Sequence, residues 1–321
     1  MIIALQIIGG FLLLLGGAEI MVRGAVALAR RFGISALVIG MTVVALGTSA
    51  PELLVSLNAA LSGAPGLAVG NVVGSNIANI LLILGAAGLV TPIACAAAGL
   101  RRDGAILLAG TLIFSALSFR GVVDAWSGAV LLIAFSYFLW NSYKREAAGE
   151  GGTAGEAGDL GVPPANLLVA VLMFLAGLAA LLAGSELVVR GGVAAARLFG
   201  VSDAVIGLTV VAVGTSLPEL AASVVAAYRG HTDVALGNVV GSNMFNVLGV
   251  IGVVAVVTPV TVEARVVDFD IWIMIGATLL LLPFMMGGLR QIGRAPALAF
   301  LIMYVAYIGA IGLGVDRIPP A

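Results

Sequence analysis

Two acidic residues stand where an apolar stretch tolerates few. Glu52 and Glu219 lie deep inside long hydrophobic runs, in the strings GTSAPELL and GTSLPELA. An unpaired carboxylate in such surroundings costs several kcal/mol or more, and no Lys or Arg is close to either in sequence. Two such groups brought together share protons or hold cations. Each follows a proline by one residue. Pro51 has no N–H for the Gly47 carbonyl, and Pro218 has none for that of Gly214. The helices are therefore expected to break just before each acid, releasing carbonyls among Ala45, Gly47, Ala212 and Gly214. Irregular backbone of this kind is tolerated in a bilayer only where it is buried in protein or lines a cavity.

Hydroxyls and amides extend the set. Thr48 and Ser49 precede Glu52 by four and three residues, and Thr215 and Ser216 stand in the same relation to Glu219. In the following segments Ser75 and Asn79 are four apart, as are Ser242 and Asn246, a spacing that shares one helix face. These pairs read as ligands. Asn71 and Asn238, a turn earlier, suit either ligation or helix bridging. The combined donors are all oxygen, the chemistry of a hard cation such as Ca²⁺, which takes six to eight such ligands. No His or Cys lies among them to favour a softer metal.

Two ionised glutamates carry −2, which one Ca²⁺ or two Na⁺ would neutralise. A site that accepts either load and is disfavoured empty is the basis of an exchanger. The alternatives are a structural, protonated acid pair, a cation/H⁺ exchanger, a channel, and an intramembrane protease with an acidic dyad. The last is disfavoured because both acids are Glu in a Pro-Glu context, so no enzyme activity is expected.

The segments that must position these groups come in duplicate. Residues 40–58 match 207–225, and 70–85 match 237–252, both at an offset of 167 without a gap. The same offset relates Glu19 to Glu186 and Arg23 to Arg190; these pairs, four apart, read as local ion pairs near helix ends. Apolar periodicity predicts helices near 2–22, 35–62, 67–90, 103–119 and 122–142, then 165–189, 202–228, 234–257, 268–287 and 296–313. The halves are 1–143 and 164–321, with a Gly- and Glu-rich linker at 144–163. Five spans per half is odd, so the two halves enter the membrane in opposite senses. The expected fold is an all-α polytopic membrane protein of ten transmembrane helices in two inverted five-helix repeats. Ten of the fifteen basic residues fall on the side that holds the linker. This places the linker in the cytoplasm and both termini outside.

Composition agrees. Of 321 residues 10% are charged and 61% hydrophobic, with mean hydropathy +1.20, against about 25% charged in an ordinary soluble domain. A net charge of −1 leaves no basic field for nucleic acid. The first run, Ile2 to Leu15, has no preceding positive residue and reads as a retained helix rather than a signal peptide. Cys95, the one cysteine, reads as a small hydrophobe, His231 as a solvated loop residue, and Asp124, Asp268 and Asp270 as helix-start acids.

The strings GTSAPE with GNVVGSNIAN, repeated as GTSLPE with GNVVGSNMFN, resemble the two α-repeats of the sodium/calcium exchanger family, within the cation/Ca²⁺ exchanger superfamily. The resemblance covers essentially the whole chain. It implies alternating access, with Na⁺ and Ca²⁺ as the transported ions and no cofactor. It maps ion ligands onto Thr48, Ser49, Glu52, Ser75 and Asn79, onto Thr215, Ser216, Glu219, Ser242 and Asn246, and onto the carbonyls of Ala45 and Ala212. It further implies that helices 1 and 6 are long, tilted and slide across the core. Several members carry Asp where this chain has Asn246. Both halves here have Asn, which removes one titratable group and leaves stoichiometry and any role of H⁺ or K⁺ open. The short linker has no room for the large Ca²⁺-sensing region of animal relatives. The compact form resembles prokaryotic members of the cytoplasmic (inner) membrane, with lipid as the surroundings and no protein partner implied.

Overall fold

The computed structural model describes residues 2–97, 99–147, 166–198 and 212–313. Helix α1 runs Ile2–Phe32. Helices α2 (Ala36–Thr48) and α3 (Ala50–Leu61) meet at a 42° bend, followed by α4 (Pro65–Val90), α5 (Leu100–Ser118) and α6 (Ala125–Ala147). The second half holds α7 (Leu167–Leu198), α8 (Ala212–Thr215), α9 (Leu217–Tyr228), α10 (Thr232–Val257), α11 (Val266–Met285) and α12 (Arg294–Gly312). Among the described residues seven helices are long and apolar enough to span a bilayer, or eight if α2 and α3 form one broken span. The expected start of the seventh helix, 202–211, lies outside the described residues.

α1 and α7 exceed the expected 2–22 and 165–189. At 31 and 32 residues they extend about 46–48 Å, more than the roughly 30 Å of hydrocarbon. Neither contains Pro, and α1 stops only at Gly33, whose φ of +66° suits glycine. The two pack antiparallel along a glycine seam: Gly10, Gly17 and Gly24 on α1, and Gly177, Gly184 and Gly191 on α7, each seven residues apart. A methyl group on Gly17 would lie 2.8 Å from the Leu181 nitrogen, and one on Gly24 2.5 Å from that of Phe174. The backbones touch because nothing stands between them. Ile8, Leu12 and Leu15 of α1 face outward on the opposite side, toward lipid.

α4 and α10 form the centre. Their apolar windows are 78% and 83% enclosed, against 22–28% for α1, α7 and α12. Two short ladders lie outside the helices. Ile93–Ala94 (β1) pairs antiparallel with Gln291–Ile292 (β4), and Val122–Val123 (β2) with Val260–Thr261 (β3). Each joins a connector of one half to a connector of the other.

Glu19 and Glu186 lie midway along α1 and α7 rather than near helix ends, because both helices run past the predicted spans. Glu19 and Arg23 pair at 2.6 Å, as do Glu186 and Arg190, as the spacing suggests. Glu19 also accepts from Arg229 at 2.7 Å, tying α1 to the end of α9. Asp124 caps α6 through the Ser127 N–H at 2.9 Å. Asp270 accepts from the Tyr307 hydroxyl at 2.9 Å, so it links α11 to α12 rather than serving as a simple start signal.

His231 is not solvated. It is 2% exposed and neither ring nitrogen has a hydrogen-bond partner. Its N–H bonds back to the Ala226 carbonyl at 2.8 Å, and this turn between α9 and α10 tucks the ring inward. Burial, followed by the nearby Arg30 and opposed by Glu19, holds its pKa below the ordinary value. The unfolded chain therefore takes up the proton first, and folded stability falls as pH drops below about 6.5. Thermal midpoints in detergent between pH 8 and pH 5 are expected to fall more steeply for the native chain than for His231→Gln. Equal slopes would contradict the buried ring. At the seam, Gly177→Val would meet Met21 backbone and is expected to lower the midpoint by several degrees, an overpacking cost of about 1–3 kcal/mol. Gly9→Val, which meets open space, serves as the neutral control.

Candidate ion-binding site

Both predicted helix breaks are present. Ser49 leaves helical geometry with ψ near +7° between α2 and α3, and Ser216 does so with ψ near +3° between α8 and α9. Each proline then sits in the first turn of the new helix, where its missing N–H removes no helical bond. Glu52 and Glu219 follow in that first turn, at the positive end of the helix dipole. Both are 1% exposed.

The structure brings the two halves together here. Ser49 donates to Glu219 Oε1 at 2.8 Å, so the hydroxyl beside one break reaches the carboxylate beside the other. Thr48 lies 3.2 Å from Asn238 Oδ1 and 3.4 Å from the Ala45 carbonyl. Ala45 O also accepts the Ser49 N–H at 3.0 Å, so this carbonyl is engaged. Ala212 opens α8. Ser75, Asn79, Ser242 and Asn246 are buried on α4 and α10. Thr215 is partly buried at the end of α8.

Asn71 and Asn238 act as bridges. Asn71 donates to Ser56 Oγ at 3.1 Å and approaches the Glu52 carbonyl at 3.5 Å. Asn238 does the same to Ser223 Oγ at 3.0 Å and the Glu219 carbonyl at 3.4 Å. They hold each glutamate helix against its neighbour. Asn238 additionally offers Oδ1 toward Thr48.

Sequence reasoning missed two residues. Asn76 donates to the Asn243 carbonyl at 3.3 Å, and Asn243 donates to that of Asn76 at 3.4 Å. These positions are 167 apart, and the exchange clamps α4 to α10. The duplicated GSN string was the available signal. Wider π turns begin at Asn79 and enclose Asn246, a local widening common at functional sites. No pattern of apolar residues announces it.

A second predicted free carbonyl, after Ala45, is also occupied. Ser185 of α7 donates to Gly214 O at 2.7 Å, filling the place that the Pro218 nitrogen leaves open. Its counterpart at the 167 offset is Ala18, which has no hydroxyl to offer Gly47. α7 lies against both breaks: Gly47 faces Leu178 and Phe174, and Gly214 faces Val189.

Several buried oxygens remain without a partner: Glu52 Oε2, Glu219 Oε2, Ser216 Oγ, Ser242 Oγ, Asn79 Oδ1 and Asn246 Oδ1. Each unsatisfied buried polar atom costs about 1–3 kcal/mol, and a cation set among them would remove that cost. Among the described residues no group of three or more His, Cys, Asp or Glu could hold a metal. The negative charge of the centre therefore rests on two carboxylates, with neutral oxygens around them.

The sequence matches the profile of the sodium/calcium exchanger protein family over residues 2–144 and 169–312. It is 40% identical over 306 residues to the putative antiporter CaxA of Alkalimonas amylolytica, covering 93% of this chain and 95% of that one. It is 33% identical over 348 residues to the sodium/calcium exchanger MaX1 of Methanosarcina acetivorans, covering 93% and 95%. The fold is similar to that of the sodium-calcium exchanger NCX_Mj soaked with Na⁺ and Ca²⁺, with a TM-score of 0.84 and 32% identity over 97% of this chain and 98% of that one.

Removing the Ser185 hydroxyl leaves a buried carbonyl open. Ser185→Ala is expected to lose about 1–3 kcal/mol, read as a lower thermal midpoint in detergent, while Ser185→Thr keeps the native value. Indistinguishable midpoints for native and Ala chains would remove the hydroxyl from this role.

Proposed function

The chain belongs to the sodium/calcium exchanger family, and on that premise we propose that it is a sodium/calcium antiporter that exports Ca²⁺ in exchange for Na⁺ by alternating access. The observation that carries this reading is the pair of buried carboxylates, Glu52 and Glu219, each with an oxygen that lacks a partner, as is also the case for Ser216, Ser242, Asn79 and Asn246 of the same candidate set. Glu52 and Glu219 hold Ca²⁺ directly, with Thr48 and Thr215 beside them. Ser49, Ser216, Ser75, Ser242, Asn79, Asn246 and the carbonyls of Ala45 and Ala212 shape flanking Na⁺ positions. One Ca²⁺ neutralises the pair; two Na⁺ do the same, and a third leaves the loaded centre at +1. Empty, two ionised acids in low dielectric are unfavourable, which discourages an unloaded carrier from switching sides and so couples the two fluxes.

The architecture in this reading is ten spans in two inverted halves, 1–143 and 164–321, around a cytoplasmic linker at 144–163, with both termini outside the cytoplasmic membrane. Counting α2 with α3 and α8 with α9 as broken spans, and α5 as the fourth, gives ten. The antiparallel seam of α1 with α7, the reciprocal Asn76–Asn243 clamp and the two cross-half ladders support a two-fold relation between the halves.

A second reading is Ca²⁺/H⁺ exchange, in which two protons on the same glutamates replace the Na⁺ load. The deciding experiment is ⁴⁵Ca²⁺ uptake into proteoliposomes loaded with Na⁺, at clamped voltage, with a pH gradient and a protonophore as separate arms. Uptake is expected to require the outward Na⁺ gradient and to ignore the pH gradient. Glu52→Gln and Glu219→Gln are each expected to reduce it to background while the protein stays monodisperse. Uptake driven by the pH gradient without Na⁺ moves the chain to the second reading, and normal uptake in both variants eliminates this site.

A further inference from the structure

A cavity of about 680 Å³ opens where the connector between α4 and α5 meets the turn between α11 and α12. Its wall includes Arg101, Arg102 and Arg290 and contains neither Asp nor Glu. Among the described residues none of these three arginines makes an ion pair. Three uncompensated guanidinium groups around one opening repel one another and call for an anion.

The site is shaped, not merely basic. Arg101 lies against Gly287, where a methyl group would come within 2.7 Å of its Nη2 and 3.0 Å of its Nε. Gly287 also has φ +85°, so glycine suits this position both for its backbone and for the guanidinium resting on it. The Cys95 N–H bonds the Arg290 carbonyl at 2.8 Å, which fixes one rim of the cavity to the other. Burial, with the nearby Asp233 adding to it, pushes the Cys95 thiol up to about 11, so this wall residue adds no negative charge.

The arginine pair is also outside the internal repeat. At the 167 offset Arg101 and Arg102 correspond to Asp268 and Phe269. The ion ligands are duplicated and this pair is not, so it serves something one face of the protein needs and the other does not. Guanidinium groups bind phosphate oxygens through paired N–H donors, and the volume is within the range of small-molecule sites. The surroundings select the source of the phosphate. The cavity is built from connectors at the ends of membrane helices, the depth of lipid headgroups. Exposed Met286 and Leu289 stand in the same α11–α12 turn as Gly287 and Arg290, giving a charged cavity with an apolar rim.

We propose that this cavity binds the phosphodiester headgroup of an anionic phospholipid, with Arg101, Arg102 and Arg290 on the phosphate and the acyl chains leaving past Met286 and Leu289. Binding is read directly, so the outcome is independent of which ions the protein transports. The purified full-length chain is equilibrated with mixed micelles of phosphatidylcholine and phosphatidylglycerol, and retained lipid is counted by native mass spectrometry. The native chain is expected to retain phosphatidylglycerol over phosphatidylcholine and to keep it in excess inorganic phosphate. The triple variant Arg101→Gln, Arg102→Gln, Arg290→Gln is expected to lose that retention about tenfold or more. Arg290→Gln alone, which leaves the start of α5 intact, covers the case in which the triple variant fails to fold, and is expected to lower retention several-fold. Equal retention of both lipids, unchanged retention in Arg290→Gln, or displacement by inorganic phosphate would each overturn the proposal.

Discussion

Two carboxylates buried at the centre of an apolar protein govern the rest of the structure. Glu52 and Glu219 are removed from water, and no Lys or Arg lies close to them in sequence to pair with them. Their burial is tolerable only if other groups answer the charge. Four local features do so: the first turn of a new helix beneath each acid, a hydroxyl from the opposite half, neutral oxygens with unused lone pairs, and a cation when one is present. The first of these requires a break in a membrane helix. The breaks in turn require neighbours that satisfy or cover the exposed backbone, and α4, α7 and α10 fill that role.

The two halves repeat the candidate ligands yet differ in how they are held. The Ser49 hydroxyl reaches Glu219, whereas among the described residues the Ser216 hydroxyl has no hydrogen-bond partner. Ser185 fills Gly214 O, whereas Ala18 cannot do the same for Gly47. Asn79 donates to Asn243 Oδ1 at 2.9 Å, whereas the side chain of Asn246 makes no bond. Duplicated residues thus occupy unequal environments. In an alternating carrier the halves are expected to exchange such environments as the site opens to either side. The Ser185–Gly214 contact has no equivalent in the first half, where Ala18 stands at the matching position.

Much of this was legible in the chain. The 167-residue offset, the Pro-Glu strings and the four-residue spacings marked the breaks, the acids and most of the surrounding oxygens. Those signals are local, since a proline removes a bond from its own helix and a carboxylate in an apolar run is costly whatever packs against it. The same locality explains the misses. His231 reads as solvated because RGHTD is polar, but the turn at Ala226 carries the ring inward. Asn76 and Asn243 look like further amides in a packing string until α4 and α10 are seen to exchange them. The spans predicted for the first and sixth helices are shorter than α1 and α7, whose glycines serve a close antiparallel contact.

Local signals in the chain mark a helical membrane protein built from a duplicated unit, with helix breaks beside Glu52 and Glu219 and a candidate centre whose side chains carry oxygen donors and no sulfur or imidazole. Composition, proline and buried charge act within a few residues and need no knowledge of neighbours. Packing settles the rest: Ser49 donates to the opposite glutamate, Asn71 and Asn238 bridge helices, Ser185 closes a carbonyl, and three arginines from two separate connectors border one cavity. Those outcomes depend on which surfaces meet across intervals of 170 to 190 residues in the cases of Ser49–Glu219 and Thr48–Asn238. Hydrogen bonds and charges act over a few ångströms in space, and distance along the chain does not encode that separation.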